Sequence, residues 1–85
     1  MAETTSLVAP RVAEMEAGAD FGWLFREEYP SIVRTAYLML GDREAAEDVA
    51  QEAFARLFAR WGKVSRYDRP GAWVRRVAIR LSARS

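Results

Sequence analysis

Residues 63–69 combine cationic side chains with an aromatic ring, and these are the residues of this chain best suited to binding a charged, ring-containing ligand. The segment contains Lys63, Arg66, Tyr67, Asp68 and Arg69. Nucleic-acid bases stack on aromatic rings while guanidinium groups neutralise phosphates, so this combination is typical of proteins that bind a single strand. A solvated basic segment whose Tyr67 packs on the core would contain the same residues. The pattern alone leaves both interpretations open.

A second charged cluster precedes this segment and has the opposite sign. From residue 44 to residue 61 the apolar residues recur at the three-four spacing of an amphipathic helix. The polar side of that helix carries Glu44, Glu47, Asp48, Gln51 and Glu52. From Arg56 onward its charged residues are all arginines. Acids near a helix start favour the helix dipole, so an ordinary solvated surface explains them. A binding surface for a second partner is the alternative.

The composition excludes most catalytic chemistry. The chain has no cysteine and no histidine, which rules out disulfides, thiolate or histidine metal sites, and nucleophiles activated by histidine. A carboxylate metal site would need the acids of this helix to meet Glu27 or Glu28, but bundles with such sites also use histidine. We therefore predict no catalytic residue, no metal and no cofactor. Carboxylate chemistry is the one enzymatic alternative left open.

Charge is distributed unevenly along the chain, although the net charge of its 85 residues is only +1. Residues 1–42 contain seven acidic and three basic side chains, whereas residues 54–85 contain nine basic and one acidic. A basic C-terminal part suits a polyanionic ligand. Lys63 is the only lysine among the 13 basic residues, and the forked donors of arginine favour phosphate.

Three amphipathic helices are predicted to position these residues, after a flexible arm in residues 1–19, for which one helical turn or more around residues 12–17 is the alternative. Asp20 is the predicted N-cap of the first helix, whose apolar stripe runs to Leu40. The stripe passes Pro30 in phase, which predicts a kink or a short break there. Gly41 is expected to end this helix and Asp42 to cap the next one.

The second helix is predicted to run to Trp61, where Gly62 stops it. Its core face comprises Ala46, Val49, Ala50, Ala53, Phe54, Leu57, Phe58 and Trp61. In the third helix Asp68 is the expected cap and Pro70 lies in the first turn. The predicted core face of the third helix comprises Ala72, Trp73, Val77, Ala78 and Leu81. Another face carries a row of arginines, Arg76, Arg80 and Arg84. No segment has a strand pattern, so we predict one all-α domain in residues 20–85.

Nothing in the sequence indicates export or membrane insertion. The N-terminus lacks the basic start and continuous apolar run of a signal peptide, and no stretch is long enough to span a bilayer. We expect a cytoplasmic protein.

Two motifs carry a resemblance to a known family. Residues 36–61, AYLMLGDREAAEDVAQEAFARLFARW, and residues 72–81, AWVRRVAIRL, resemble region 2 of the bacterial sigma-70 family, in particular its extracytoplasmic-function (ECF) group. AEDVAQEAF is the most specific part, and the resemblance covers residues 21–85. It implies a compact three- to four-helix bundle that acts in transcription initiation and is not an enzyme. Such a domain binds the clamp helices of the beta-prime subunit of core RNA polymerase. It also recognises and melts the promoter minus-ten element through the non-template strand.

The resemblance assigns residues to both activities and allows for an anti-sigma factor as a further partner. The polymerase contact falls on Glu47, Asp48, Gln51, Glu52, Ala55 and Arg56. The promoter contact falls on Lys63, Arg66, Tyr67, Asp68, Arg69, Arg75, Arg76 and Arg80. In this assignment Tyr67 stacks on a flipped base and Arg66 and Asp68 read its edge. Arg75, Arg76 and Arg80 hold phosphates, which position the strand without specifying its sequence.

The chain departs from the family pattern at two points. Arg80 stands where the family usually has asparagine, so this position adds affinity while reading less, or marks a subgroup with another minus-ten preference. The chain also ends at Ser85 without region 4, the helix-turn-helix domain, so we expect a truncated part of a longer factor. Two rival functions are a generic helical module that binds duplex DNA in the major groove and a helical protein-interaction domain.

Overall fold

Four helices make up the part of the chain that the structure describes. The computed structural model describes residues 11–85, with side-chain surroundings for residue 18 and residues 20–85. The helices are α1 (Arg11–Leu40), α2 (Arg43–Ala59), α3 (Trp61–Val64) and α4 (Pro70–Arg84). These described residues form no strand, and α1, α2 and α4 all pack against one another. The predicted all-α bundle is confirmed. Residues 1–10 of the predicted arm lie outside the described residues.

α1 is longer than the sequence pattern predicts. It begins at Arg11, so Asp20 lies within the helix and its predicted role as N-cap is wrong. Residues 11–19 are rich in alanine and glutamate, which are strong helix formers and favour this upstream extension. The helix also continues without interruption through Pro30. The alternative of a break at that residue is therefore wrong, and the kink stays a prediction.

The junction between α1 and α2 follows the predicted capping chemistry. Gly41 has a φ of 71°, a left-handed conformation that favours glycine, and its N–H donates to the carbonyl of Tyr37 at 2.8 Å. Asp42 is extended, and its Oδ1 accepts a hydrogen bond from the N–H of Ala45 at 3.0 Å. Both predicted caps are confirmed. They turn the chain within two residues, and α2 then packs on α1.

α2 ends two residues earlier than predicted. Its last residue is Ala59, and the N–H of Arg60 donates back to the carbonyl of Leu57 at 3.0 Å. Trp61 begins α3, a single turn that contains Gly62, so the prediction that Gly62 stops the second helix is wrong. Both apolar ends of this turn, Trp61 and Val64, are buried. α3 therefore adds to the core and separates the end of α2 from the basic segment.

α4 begins without a side-chain cap. Arg69 is its N-cap residue and makes no side-chain hydrogen bond there, so the prediction that Asp68 caps this helix is wrong. Pro70 lies in the first turn, as predicted. Because proline has no N–H, its presence at this position leaves one donor fewer to satisfy at the uncapped end.

The core receives side chains from every described helix. Its largest completely buried members come one from each helix: Ile32, Leu57, Val64 and Val74. Aromatic rings of α1 and α2 pack beside them, with Phe25 and Phe54 edge to face at 4.9 Å between centroids. Two predictions about the core are wrong: Phe58 is 63% exposed, and the apolar stripe of α4 misses Val74, which is completely buried.

Candidate functional site: an acidic face and a basic surface

The acidic face of α2 comprises Glu44, Glu47, Asp48, Gln51 and Glu52. Of these, Glu47 is half-buried and the others are exposed. Two of the acids pair with arginines one turn away: Glu47 Oε2 lies 3.3 Å from Arg43 Nε, and Glu52 Oε2 lies 2.9 Å from Arg56 Nε. Exposed pairs at this spacing stabilise a helix by only about 0.3–0.5 kcal/mol, so a partner can displace them at little cost.

Asp48 lies in the middle of this face and, like Glu44, is open to a partner. It is exposed and has no ion-pair partner among the residues that the structure describes. Gln51, Glu52 and Ala55 are exposed within the next two turns, at three- and four-residue spacings that put them on the same side as Asp48. The structure thus brings together the residues predicted to contact polymerase, with Arg56 at their edge.

Phe58 extends this side of α2 with an exposed apolar ring. It follows Ala55 by three residues and Gln51 by seven, so it lies beside both on the helix surface. Its ring packs edge to face against Phe21 with 5.1 Å between centroids, yet the residue is 63% exposed. Sequence reasoning placed Phe58 in the core. Its position at the margin of a wide apolar stripe was the signal that it could face solvent instead.

A groove of about 580 Å³ runs between α1 and the start of α2. It is lined by Tyr29, Pro30, Val33, Arg34, Tyr37, Arg43 and Glu47. Glu47 also belongs to the acidic face, so the groove and the face form one continuous surface. Tyr37 is 46% exposed and leaves part of its side chain open to solvent.

The basic loop, residues 65–69, leaves α3 through backbone turns. The N–H of Ser65 donates to the carbonyl of Trp61 and the N–H of Tyr67 to the carbonyl of Val64, both at 2.9 Å. Val64 is buried, so its side chain anchors the start of the loop in the core. Lys63 lies in α3 and the other predicted promoter residues of positions 63–69 lie in the loop. All of them are exposed: Lys63, Arg66, Tyr67, Asp68 and Arg69. Tyr67, at 43% exposure, presents part of its ring to solvent.

The arginine row of α4 continues the basic surface beyond the loop. Arg76, Arg80 and Arg84 recur every four residues and are exposed. None of the three has an ion-pair partner in the described part of the chain. Arg75 differs from them, because its Nη2 donates to Ser31 Oγ at 2.9 Å and lies 3.4 Å from Glu28 Oε1 on α1. The structure therefore separates Arg75 from the other predicted phosphate contacts.

A smaller cleft of about 310 Å³ lies beside the basic loop. It is lined by Asp20, Trp23, Leu24, Trp61, Ser65 and Pro70. Trp23 is 59% exposed there, and sequence reasoning did not single it out. Trp23 lies one residue before the buried Leu24 and is not part of the apolar stripe, and this position in the sequence indicates that its side chain is exposed.

Candidate metal sites and membrane-spanning helices are both absent from the described residues. They contain no cluster of three or more carboxylate, histidine or cysteine side chains that could hold a metal ion. Likewise, none of the described helices is long and apolar enough to cross a membrane. Glu28, one of the acids considered for a carboxylate site, pairs with Arg75 instead.

The described residues thus form a helical bundle with an acidic face on α2 and exposed cations on the basic loop and α4. Residues 24–85 match the family model of sigma-70 region 2. The chain therefore belongs to the sigma-70 region 2 family. Searches of curated proteins and of solved structures each found no match.

Membership of this family establishes the general role of the chain. Region 2 is a domain of sigma factors, which act in transcription initiation by binding RNA polymerase and recognising promoters. It is not an enzyme family.

Proposed function

We propose that this chain is the region 2 domain of an ECF sigma factor, acting in the cytoplasm. Its acidic face binds the clamp helices of the polymerase beta-prime subunit. Its basic loop and the arginine row capture the non-template strand of the promoter minus-ten element. The observation that carries the proposal is the change of sign along the chain, from the exposed acids of α2 to the exposed cations that follow Arg56.

The polymerase contact combines charge with apolar surface. Asp48 and Gln51 supply exposed polar groups in the centre of the face, and Phe58 supplies an exposed aromatic ring at its margin. Interfaces draw much of their affinity from aromatic anchors surrounded by polar groups. The groove that begins at Glu47 adds Tyr37 and Val33 to the same surface. We therefore extend the predicted polymerase contact to Phe58 and this groove.

The DNA contact depends on Tyr67. Flipping a base out of its stack costs a few kcal/mol, and stacking it on an aromatic side chain returns about 1–3 kcal/mol. These terms nearly cancel, so the isolated domain binds weakly and polymerase supplies the remaining affinity. Arg66 and Asp68 flank the ring along the chain and are exposed, which leaves their polar groups available to a base edge.

Arg76 and Arg80 hold the phosphates of the captured strand. Both are exposed, and neither is paired with an acid in the described residues. Arg80 replaces the usual asparagine of the family, so it contributes charge rather than base discrimination. We omit Arg75 from this set because its guanidinium group is engaged on α1.

A single-strand binding panel tests the proposal. Labelled minus-ten oligonucleotides that differ by one base are titrated by fluorescence anisotropy with the domain and a beta-prime clamp-helix fragment. Tyr67→Ala should weaken binding roughly 5- to 150-fold, the equivalent of 1–3 kcal/mol, and Tyr67→Phe should retain most of it. Leu38→Ala is the control, since Leu38 is an exposed apolar side chain of α1 that lies in neither the groove nor the basic loop.

The same panel separates the proposal from its rivals. Equal binding by wild type and Tyr67→Ala would contradict the stacking role. Tighter binding to the duplex than to the single strand would favour the generic duplex-binding module. Absence of any DNA binding in the presence of the clamp-helix fragment would favour a protein-interaction domain.

A further inference from the structure

Arg75 is held on α1 although it lies next to the arginine row. Its Nη2 donates to Ser31 Oγ at 2.9 Å and lies 3.4 Å from Glu28 Oε1. The two charged side chains are 41% and 29% exposed, so this contact is more shielded from solvent than the pairs on α2. Reduced solvent exposure strengthens the attraction between opposite charges.

Glu28 also lies against the first turn of α4. A Cβ atom added at Gly71 would come within 3.1 Å of both Cδ and Oε2 of Glu28, closer than an ordinary contact. The absence of a side chain at Gly71 is therefore what lets the carboxylate approach. α4 has no acidic residue in its own first turn, and its N-cap makes no side-chain hydrogen bond. Glu28 thus brings to the start of α4 the negative charge that the helix dipole favours there.

We propose that Glu28 is a positioning residue that occupies Arg75 in place of a DNA phosphate. This inference rests on the proposed function. Its carboxylate keeps the Arg75 guanidinium on α1 and fixes the first turn of α4. That turn follows the basic loop directly and leads into Arg76 and Arg80. A captured strand therefore meets Arg76 and Arg80 but not Arg75.

The salt dependence of binding to a labelled single-stranded oligothymidine tests this inference. Each phosphate contact to a single strand adds about 0.7 to the steepness with which log affinity falls as log salt rises, called the slope here. Arg76→Gln should lower the slope by about that amount, whereas Arg75→Gln should leave it unchanged. Glu28→Gln should raise the slope by up to about 0.7, because the released guanidinium can then meet a phosphate. A residue with a structural role alone would not raise it.

The outcomes separate this inference from the proposed function. If Arg75→Gln lowers the slope as much as Arg76→Gln does, or Glu28→Gln fails to raise it, the role of Glu28 is overturned. If Arg76→Gln leaves the slope unchanged, the phosphate contacts of the proposed function fail.

A double-mutant cycle tests the contact between Glu28 and Arg75 without DNA. Urea midpoints are measured for Glu28→Gln, Arg75→Gln and the double variant. The shift of the double variant should be smaller than the sum of the single shifts, because either change alone breaks the pair. The exposed pair of Arg43 and Glu47 is the control, and its shifts should be small and nearly additive. Additive shifts at Glu28 and Arg75 would overturn the inference.

Discussion

Leu57 and Phe58 are adjacent in α2, yet the structure gives them opposite environments. Leu57 is completely buried, whereas Phe58 is 63% exposed and packs edge to face against Phe21. The sequence pattern puts both residues in the core and therefore predicts that replacing either one by alanine lowers the stability by a similar amount. The structure predicts that Leu57→Ala is severe and that Phe58→Ala is mild.

The expected magnitudes follow from burial. Leu57→Ala removes a completely buried side chain and leaves a cavity, which costs about 3 kcal/mol, within the range of 2–5 for such changes. Phe58→Ala removes a side chain that is a little over a third buried, which costs about 0.7 kcal/mol of stability. It also removes the edge contact with Phe21, which costs about 0.5 kcal/mol. At roughly 4–8 °C per kcal/mol for a domain of this size, the Tm falls by roughly 12–24 °C for Leu57→Ala. For Phe58→Ala it falls by roughly 4–10 °C.

Urea and thermal denaturation followed by far-ultraviolet circular dichroism measure both losses. A free-energy loss for Phe58→Ala equal to that for Leu57→Ala would refute the placement of Phe58 at the surface. Phe58→Ala is also informative for function, because it should weaken binding to the clamp-helix fragment while the domain stays folded. Leu57→Ala makes that distinction poorly, since a loss of about 3 kcal/mol is a large fraction of the roughly 5–15 kcal/mol that stabilises a native domain.

Two further predictions concern single polar groups. Asp42→Ala removes the acceptor of the Ala45 N–H and should lower the free energy of unfolding by about 1 kcal/mol in urea. Asp68→Ala is its control and should change stability by less than about 0.5 kcal/mol, because Asp68 caps no helix. Ser82→Ala should raise the free energy of unfolding by about 1 kcal/mol, since the buried Ser82 hydroxyl has no hydrogen-bond partner within the described structure. A lower urea midpoint for Ser82→Ala would show that the hydroxyl is satisfied in solution.

The turn between α1 and α2 was predictable because its chemistry is local. Gly41 supplies the left-handed conformation and Asp42 the acceptor within one short segment, so no distant contact is needed to place them. Asp20 and Asp68 are the same kind of signal, yet neither caps a helix. In the first case good helix formers continue upstream. In the second the start of α4 moves to Pro70, with Arg69 before it.

The exposed surfaces were predictable in their composition but not in their internal contacts. The cations of the basic loop and the acids of α2 lie at the surface, as charged residues without buried partners usually do. The position of Arg75 depends on Glu28, which lies 47 residues earlier in the chain. Neither helical spacing nor composition predicts the contact between Arg75 and Glu28. The end of α2 is a similar case, since burial of Trp61 and Val64 in a new turn overrides the continued apolar spacing.

The central claim is that two separate surfaces bind two partners. The most direct test measures how tightly the domain binds a beta-prime clamp-helix fragment and, in parallel, how tightly it binds single-stranded minus-ten DNA. Asp48→Arg reverses an exposed charge in the centre of the acidic face, one that forms no ion pair with any described residue, and Gln51→Ala removes its exposed neighbour. Glu27→Arg, at an exposed acid of α1 outside that face, is the matched control.

We predict that Asp48→Arg weakens binding to the fragment more than tenfold, at least about 1.4 kcal/mol, and that Gln51→Ala weakens it less. Glu27→Arg should leave fragment binding unchanged, and all three variants should bind the oligonucleotide with an affinity no lower than wild type. Wild-type affinity of both Asp48→Arg and Gln51→Ala for the fragment would contradict the assignment of the acidic face to polymerase.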